Sequence, residues 1–271
     1  MADTRREPRQ HGTVRGLRHA EHVMGTVFSF DIRDPHTSAV EAALGRAVAW
    51  LHHVDEVYST YRPGSVISRL SRGELGLESC PDEVRDVLRL CQEVAETSGG
   101  WFSHTACGTL DPSGLVKGWA VEHASQILHD ADARNTYVNG GGDLQLRGEA
   151  ANGVPWRIGV ADPLRPGELC TVVSCRDTAV ATSGTAERGP HIVDPYNGTP
   201  AGDLTSITLV GHRLTLTDAY ATAAFAMGER AQRWLESLDG YEGLAVLPDG
   251  STWQTPGFPA QPAEIMPLRG S

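Results

Sequence analysis

The sequence predicts an α+β fold in which helices flank a largely antiparallel sheet. Short apolar runs of strand length crowd the second half of the chain, and they do not alternate regularly with helices as a doubly wound parallel sheet requires. A length of 271 residues suits one large domain or two small ones. Neither an internal repeat nor a convincing linker divides it.

The elements follow in order. Residues 1–20 are polar and arginine-rich and read as a flexible N-terminal arm. Residues 23–32 alternate loosely, as a first strand does. Over 38–58, Val40, Leu44, Ala47, Leu51, Val54 and Tyr58 recur at helical spacing. Residues 60–73 combine a turn with a short helix that Ser65 can cap. A second long helix begins near Pro81, carries acids in its first turn and ends at Gly99 and Gly100. Residues 118–129 form a third, with Ala120, Val121, Ala124, Ile127 and Leu128 inward. Strands are expected over 136–139, 144–147, 156–160, 171–175, 179–181, 191–193 and 206–210. An alanine-rich helix spans 218–227, and 229–238 extends it or forms another. Residues 243–247 and 252–254, joined by Asp249-Gly250, close a hairpin. The proline-rich stretch after Thr255 is expected to be extended surface chain. The boundaries are thus an arm over 1–20, one domain over 21–258 and a tail over 259–271.

Composition narrows the function classes. A 40% hydrophobic and 21% charged chain is ordinary for a globular protein. No apolar run approaches the roughly 18–20 residues of a membrane helix. The N-terminus shows neither an apolar signal core nor a lipidation cysteine, so the expectation is a cytoplasmic protein without a membrane anchor. A net charge of −11 argues against nucleic acid as partner. Any diphosphate ligand must therefore meet positive charge gathered locally, from a metal ion or from backbone N–H groups. The cysteines at 80, 91, 107, 170 and 175 lack a Cys-x-x-Cys pair and are expected to be reduced structural thiols. His52 and His53 are adjacent, without ligand-spaced partners, and read as surface residues. Lys117 is the only lysine, every other basic position being arginine. Either a site there needs a compact ammonium, or the lysine survives by chance.

Four segments can carry chemistry. LDPSGLVKG (110–118) feeds a helix, with Gly114 and Gly118 bracketing Lys117 where free N–H groups favour anions. It lacks the spacing of a P-loop, and a tight turn with a surface lysine is the plainer alternative. NGGGD (139–143) follows a strand and allows close backbone approach, or is simply a flexible hairpin turn. In ATSGTAERGPHIVDP (181–195), Thr182, Ser183 and Gly184 can donate to a phosphate, and His191 is a base or a structural histidine. In TDAYATAAF (217–225), Asp218 and Thr222 share one helical face, a hard-oxygen pair suited to Mg²⁺. The alternative is that Asp218 merely caps the helix.

Taken in order, these segments resemble the ApbE family of FAD:protein FMN transferases. The match runs through Met24-Gly25-Thr26, STYRPGSVISRL (59–70), DPSGLVKGWAVEHA (111–124), YVNGGGDLQLRG (137–148), PWRIGVADP (155–163), ATSG (181–184), HIVDPYNGTP (191–200) and TDAYATAAFAMG (217–228), most of residues 23–228. The resemblance implies an ApbE-like domain that binds FAD as substrate with Mg²⁺ at the diphosphate. It implies metal contacts from the side chains of Asp218 and Thr222 and the carbonyl of Val116. Met24, Tyr61, Asp111 and Lys117 fall where the family contacts FAD, and His191 and Ser183 fall near the phosphates. The implied reaction moves FMN to a Ser/Thr hydroxyl of an acceptor protein bearing a Ser/Thr-Gly-Ala-Thr-like motif and releases AMP, with His191 or Asp218 taking the proton. Hydrolysis of FAD to FMN and AMP, or flavin binding without catalysis, are the alternatives. Three departures stand out. WFSHTACG (101–108) replaces a longer segment, implying less enclosure of the adenosine; residues 184–190 are shortened; and Ser71 replaces a frequent asparagine.

Overall fold

The computed structural model describes residues 16–106, 108–186, 189 and 191–261. The chain opens with β1 (Leu17–Val23) and β2 (Thr26–Ile32), followed by α1 (Ser38–Tyr58), α2 (Val66–Ser71), a 3-10 turn (Leu77–Ser79), α3 (Asp82–Thr97) and α4 (Ser113–His129). Strands β3 (Thr136–Gly140), β4 (Asp143–Arg147), β5 (Trp156–Ala161), β6 (Leu169–Cys175), β7 (Ala179–Gly184) and β8 (Ser206–Gly211) come next. Then follow α5 (Leu214–Met227), a 3-10 turn (Gly228–Arg230), α6 (Ala231–Leu235), β9 (Glu242–Val246), β10 (Thr252–Gln254) and β11 (Ala260–Gln261).

Eight strands form one sheet in the order β1-β2-β3-β4-β7-β8-β9-β10, and each of these pairings is antiparallel. The first and last of these strands in sequence are its two edges, so no cut of the chain separates two sheets. This is the α+β architecture the sequence predicts. A smaller sheet, β11-β6-β5, is also antiparallel.

The period of two along each strand divides the side chains between two cores. Phe28, Phe30, Ile32, Val138, Ala179, Ala181, Ile207 and Leu209 face the helices and pack with Leu51, Leu115, Val121, Ala221 and Phe225. Leu144, Leu146, Val180, Val210 and Leu244 face the other way, against Trp156 and Val173 of the smaller sheet and Phe258 of the turn before β11. The three layers are thus helices, large sheet and small sheet. Asp143 and Gln145, which alternate with Leu144 and Leu146, are thereby turned toward the helices.

Several boundaries depart from the sequence reading. Residues 23–32 are the end of one strand and the whole of another, because Met24 and Gly25 take φ of 52° and 70° and close a two-residue hairpin. The sheet therefore starts at Leu17, inside the stretch read as an arm. Ala260–Gln261 adds a strand to β6 within the stretch read as a tail. No strand forms at His191; residues 191–201 make a loop closed by a single bridge between Val193 and Pro200. Helix α3 does end as expected, in a Schellman arrangement in which the N–H groups of Gly99 and Gly100 donate to Glu96 and Ala95 at 3.0 and 2.7 Å. Ser65 also caps α2, accepting from the Ser68 N–H at 3.0 Å. Cys80, Cys91, Cys170 and Cys175 are free thiols, and Cys107 lies outside the described residues. His52 and His53 are exposed, paired with Glu21 and Glu83 at 3.0 and 2.7 Å. Among the described residues no helix is long and apolar enough to cross a membrane.

Candidate active site

The candidate site lies where α4 and α5 meet over β4. These helices approach so closely because glycine stands at the contact. A Cβ on Gly118 would lie 2.5 Å from the Leu214 carbonyl oxygen and 2.8 Å from Asp218 Cβ. One turn earlier on α4, a Cβ on Gly114 would lie 3.5 Å from Thr222 Oγ1 and 3.3 Å from Phe102 Cε2. Gly114 thus faces Thr222 and Gly118 faces Asp218, an antiparallel seam of small residues.

Asp218 sits in the second turn of α5, whose N-cap is Arg213, so a capping role for Asp218 is ruled out. The first N–H groups of α5 are served from a distance. Leu214 N–H donates to Gln145 Oε1 at 3.0 Å, and Thr215 N–H donates to Glu122 Oε2 at 2.9 Å. Helix α4 likewise begins earlier than expected, at Ser113, whose N–H donates to Asp111 Oδ1 at 3.0 Å. Lys117 is therefore its fifth residue and not its first.

Lys117 joins two buried carboxylates. Its ammonium pairs with Asp143 Oδ2 and stands 3.4 Å from Asp218 Oδ1. Asp143 is 1% exposed and Asp218 4%, so neither charge is met by bulk water. Each carboxylate is further fixed by a backbone donor. Thr182 N–H donates to Asp143 Oδ1 at 2.8 Å, and Gly118 N–H donates to Asp218 Oδ2 at 3.0 Å. With both acids ionised, the cluster carries two negative charges against one positive. The surface-lysine alternative therefore fails.

The remaining candidates fall at different distances from this cluster. Val116 is buried on α4 beside Lys117, and Thr222 is half-buried on α5 one turn beyond Asp218. Ser183 is buried on β7 next to Thr182, on the helix-facing side of the sheet. Met24 is half-buried at its hairpin tip, which meets the glycine turn of NGGGD: Gly141 N–H donates to the Val27 carbonyl at 3.2 Å, and a Cβ on Gly141 would lie 2.9 Å from Thr26 Oγ1. Asp111 is exposed and holds the start of α4. Tyr61, 95% exposed, stands clear of the protein, and exposed His191 is bonded within its own loop, to the Gly189 carbonyl. The structure thus gathers Lys117, Asp218, Val116 and Thr222 at the helix seam and leaves Tyr61 and His191 exposed, outside that cluster.

Sequence reasoning singled out the NGGGD segment without seeing Asp143 as the partner of Lys117. The acid that closes that segment, placed by strand alternation, is the signal that could have found it. The His191 loop is held to the end of α3. Tyr196 OH donates to the Gly99 carbonyl, and its ring packs edge-on to Trp101 with centroids 4.8 Å apart. Trp101, Tyr196, Asp194, Asp203, Met227 and Arg230 line a cleft of about 630 Å³, one helical turn along α5 from Thr222. Ser71 Oγ accepts from the Leu110 N–H at 3.1 Å and so ties α2 to the segment entering α4. Burial lowers the pKa of His104 in the shortened segment below the usual imidazole value.

Comparison with known proteins identifies the family. The FAD:protein FMN transferases of Treponema pallidum and Rhodobacter capsulatus are 33% and 26% identical over 52% and 80% of this chain. The matches cover 44% and 40% of those relatives, so the chain spans less than half of their length. A flavin transferase ApbE structure from Vibrio cholerae superposes with a TM-score of 0.79 at 20% identity, covering 90% of this chain and 98% of that one. The ApbE protein structure from Thermotoga maritima superposes with a TM-score of 0.80 at 22% identity, covering 89% and 97%. At that identity the superpositions speak for the fold. The ApbE family model matches residues 24–108 and 103–245, which include Lys117, Asp143, Asp218 and the His191 loop: this chain belongs to the ApbE family.

Proposed function

We propose that the chain transfers the FMN half of FAD to a Ser or Thr hydroxyl of an acceptor protein with a Ser/Thr-Gly-Ala-Thr-like motif and releases AMP. The observation that carries this reading is the buried Asp143–Lys117–Asp218 cluster at a glycine seam inside the region matched by the family model. Relatives named FAD:protein FMN transferases support the choice of substrate.

The reaction divides its work among residues of this chain. The acceptor oxygen attacks the FMN phosphorus, the bond from that phosphorus to the bridging oxygen breaks, and AMP leaves with that oxygen. His191, exposed in its loop, or Asp218 takes the hydroxyl proton. Lys117 supplies the compact positive charge that an acidic protein needs beside a diphosphate. Ser183 and the β7 backbone donate to phosphate oxygens. Met24 and Tyr61 meet the flavin from the rim, and Asp111 binds the nucleotide where it also fixes the start of α4.

A divalent metal fits the donor set at the seam. Asp218 and Thr222 offer hard oxygens one turn apart on α5, Val116 adds a carbonyl from α4, and a protein cation already rests against the same carboxylate. Mg²⁺ held there would neutralise charge on the diphosphate as the leaving group departs. Free thiols support a reducing, cytoplasmic setting, which fractionation of the native host would test.

The decisive experiment incubates the chain with FAD, Mg²⁺ and a motif-bearing acceptor, then reads acceptor intact mass and released AMP. Transfer gives both signals, hydrolysis gives AMP alone, and simple flavin binding gives neither. Asp218→Ala should abolish AMP release with the fold retained, and Thr222→Ala should be milder because water can replace a neutral hydroxyl. Undiminished Mg²⁺-dependent turnover in Asp218→Ala would overturn the metal assignment.

A further inference from the structure

The contact between Lys117 and Asp218 sets a condition on metal binding. Asp218 is the only charged side chain among the proposed metal donors, and its Oδ1 lies 3.4 Å from an ammonium. That ammonium comes from the opposite helix and is also anchored to Asp143, so it is not a mobile surface charge. Its approach is enforced on both sides, by the Gly118 N–H that fixes Asp218 Oδ2 and by the Thr182 N–H that fixes Asp143. Two cations cannot both stand against one buried carboxylate oxygen without strong mutual repulsion.

We infer that Lys117 is a built-in cation that occupies the charge position of the divalent metal in the FAD-free protein, and that metal entry requires its ammonium to leave Asp218. The inference rests on the transferase reading for the identity of the metal donors. When the diphosphate arrives it offers the ammonium a second anionic partner, so substrate and metal favour each other's binding. Without substrate, Lys117 offsets one of the two carboxylate charges and keeps the metal affinity low. The residue thereby couples the two sites as well as contacting substrate.

The test uses the whole FAD-free protein. Mn²⁺ binding by electron paramagnetic resonance is compared in wild type, Lys117→Gln and Lys117→Arg. Lys117→Gln should bind Mn²⁺ at least about tenfold more tightly, a size typical of site–site coupling, and Lys117→Arg should stay near wild type. Adding Asp218→Ala to Lys117→Gln should erase the gain, which locates the ion. Equal affinity in wild type and Lys117→Gln overturns the inference, as does an equal gain in Lys117→Arg.

Should Lys117→Gln fail to fold, the wild type itself decides. Because Lys117 is the only lysine, ¹⁵N-lysine labelling gives one side-chain ammonium resonance. That signal should be visible without metal, protected by its ion pairs, and should change its chemical shift as Mg²⁺ fills the site and the contact with Asp218 gives way, the pairing with Asp143 being kept. An ammonium resonance unmoved at Mg²⁺ saturation overturns the inference. None of these measurements involves flavin or turnover, so their failure and a failure of the transferase reading are separately visible.

Discussion

Alanine at Gly118 and at Gly114, one turn apart on α4, should have opposite consequences. At Gly118 the new methyl would meet the Leu214 carbonyl oxygen at 2.5 Å and Asp218 Cβ at 2.8 Å, so backbone must move and α4 and α5 must part. Overpacking against backbone costs about 3 kcal/mol, the upper end of the usual range, and the better helix propensity of alanine returns about 1. The net loss is about 2 kcal/mol, or ~4–8 °C in Tm for a chain of this size. Parting the helices also pulls Asp218 from the Gly118 N–H and from Lys117, so AMP release should fall by more than the stability loss explains. At Gly114 the nearest atoms are a Phe102 ring carbon at 3.3 Å and Thr222 at 3.5 Å, both side chains that can yield. There Tm should stay within about 2 °C of wild type. Differential scanning calorimetry with an AMP assay on both variants checks this. Equal Tm values for the two, or full activity in Gly118→Ala, would refute the close-seam argument.

Two further outcomes follow from described contacts. Burial pushes the thiols of Cys91 and Cys175 up to about 12 and about 11 and the Tyr241 phenol up to about 12. These groups lose their proton more readily unfolded than folded, so the stability they contribute is intact below about pH 9 for the thiols and about pH 10 for the phenol, and is lost as pH rises from there toward the folded values, by about 1.4 kcal/mol per pH unit for each group titrating in that window. The urea midpoint should therefore drop between about pH 9 and about pH 11, and less steeply in Cys91→Ala; an identical drop in that variant would contradict the assignment. Tyr196→Phe removes the hydrogen bond to Gly99 but keeps the ring against Trp101, costing about 1 kcal/mol, whereas Tyr196→Ala removes both. Hydrogen exchange over residues 191–201 should quicken slightly in the first variant and markedly in the second, and an unchanged loop in Tyr196→Ala would show that other contacts hold it.

What was legible in the sequence was local. The strands over 136–147, 156–175 and 206–210 emerge because glycine, proline and aspartate punctuate them, and α1 and α3 emerge because their apolar spacing and end signals agree. The starts of α4 and α5 were misplaced for a physical reason. Glycines 114 and 118 read as breakers when they are contact points, and α5 has no local cap. The first hairpin was missed because its turn is Met24-Gly25, without the Asn or Asp that usually accompanies glycine there. At the site, Asp218 with Thr222 was visible as a helical pair and Lys117 as a compositional oddity. That Lys117 reaches Asp218 depends on the crossing of two helices about a hundred residues apart in sequence, and no local pattern encodes it.

The uncapped start of α5 ties the site to the whole chain. Its opening N–H groups are satisfied only once Gln145 on β4 and Glu122 on α4 are in place, 69 and 93 residues earlier in the sequence. A chain that lacks either partner leaves those donors bare, so α5 gains its first turn only as the sheet and α4 assemble around it. Asp218 follows directly on that turn. The carboxylate at the centre of the site therefore has its place only where the sheet and α4 are packed around α5.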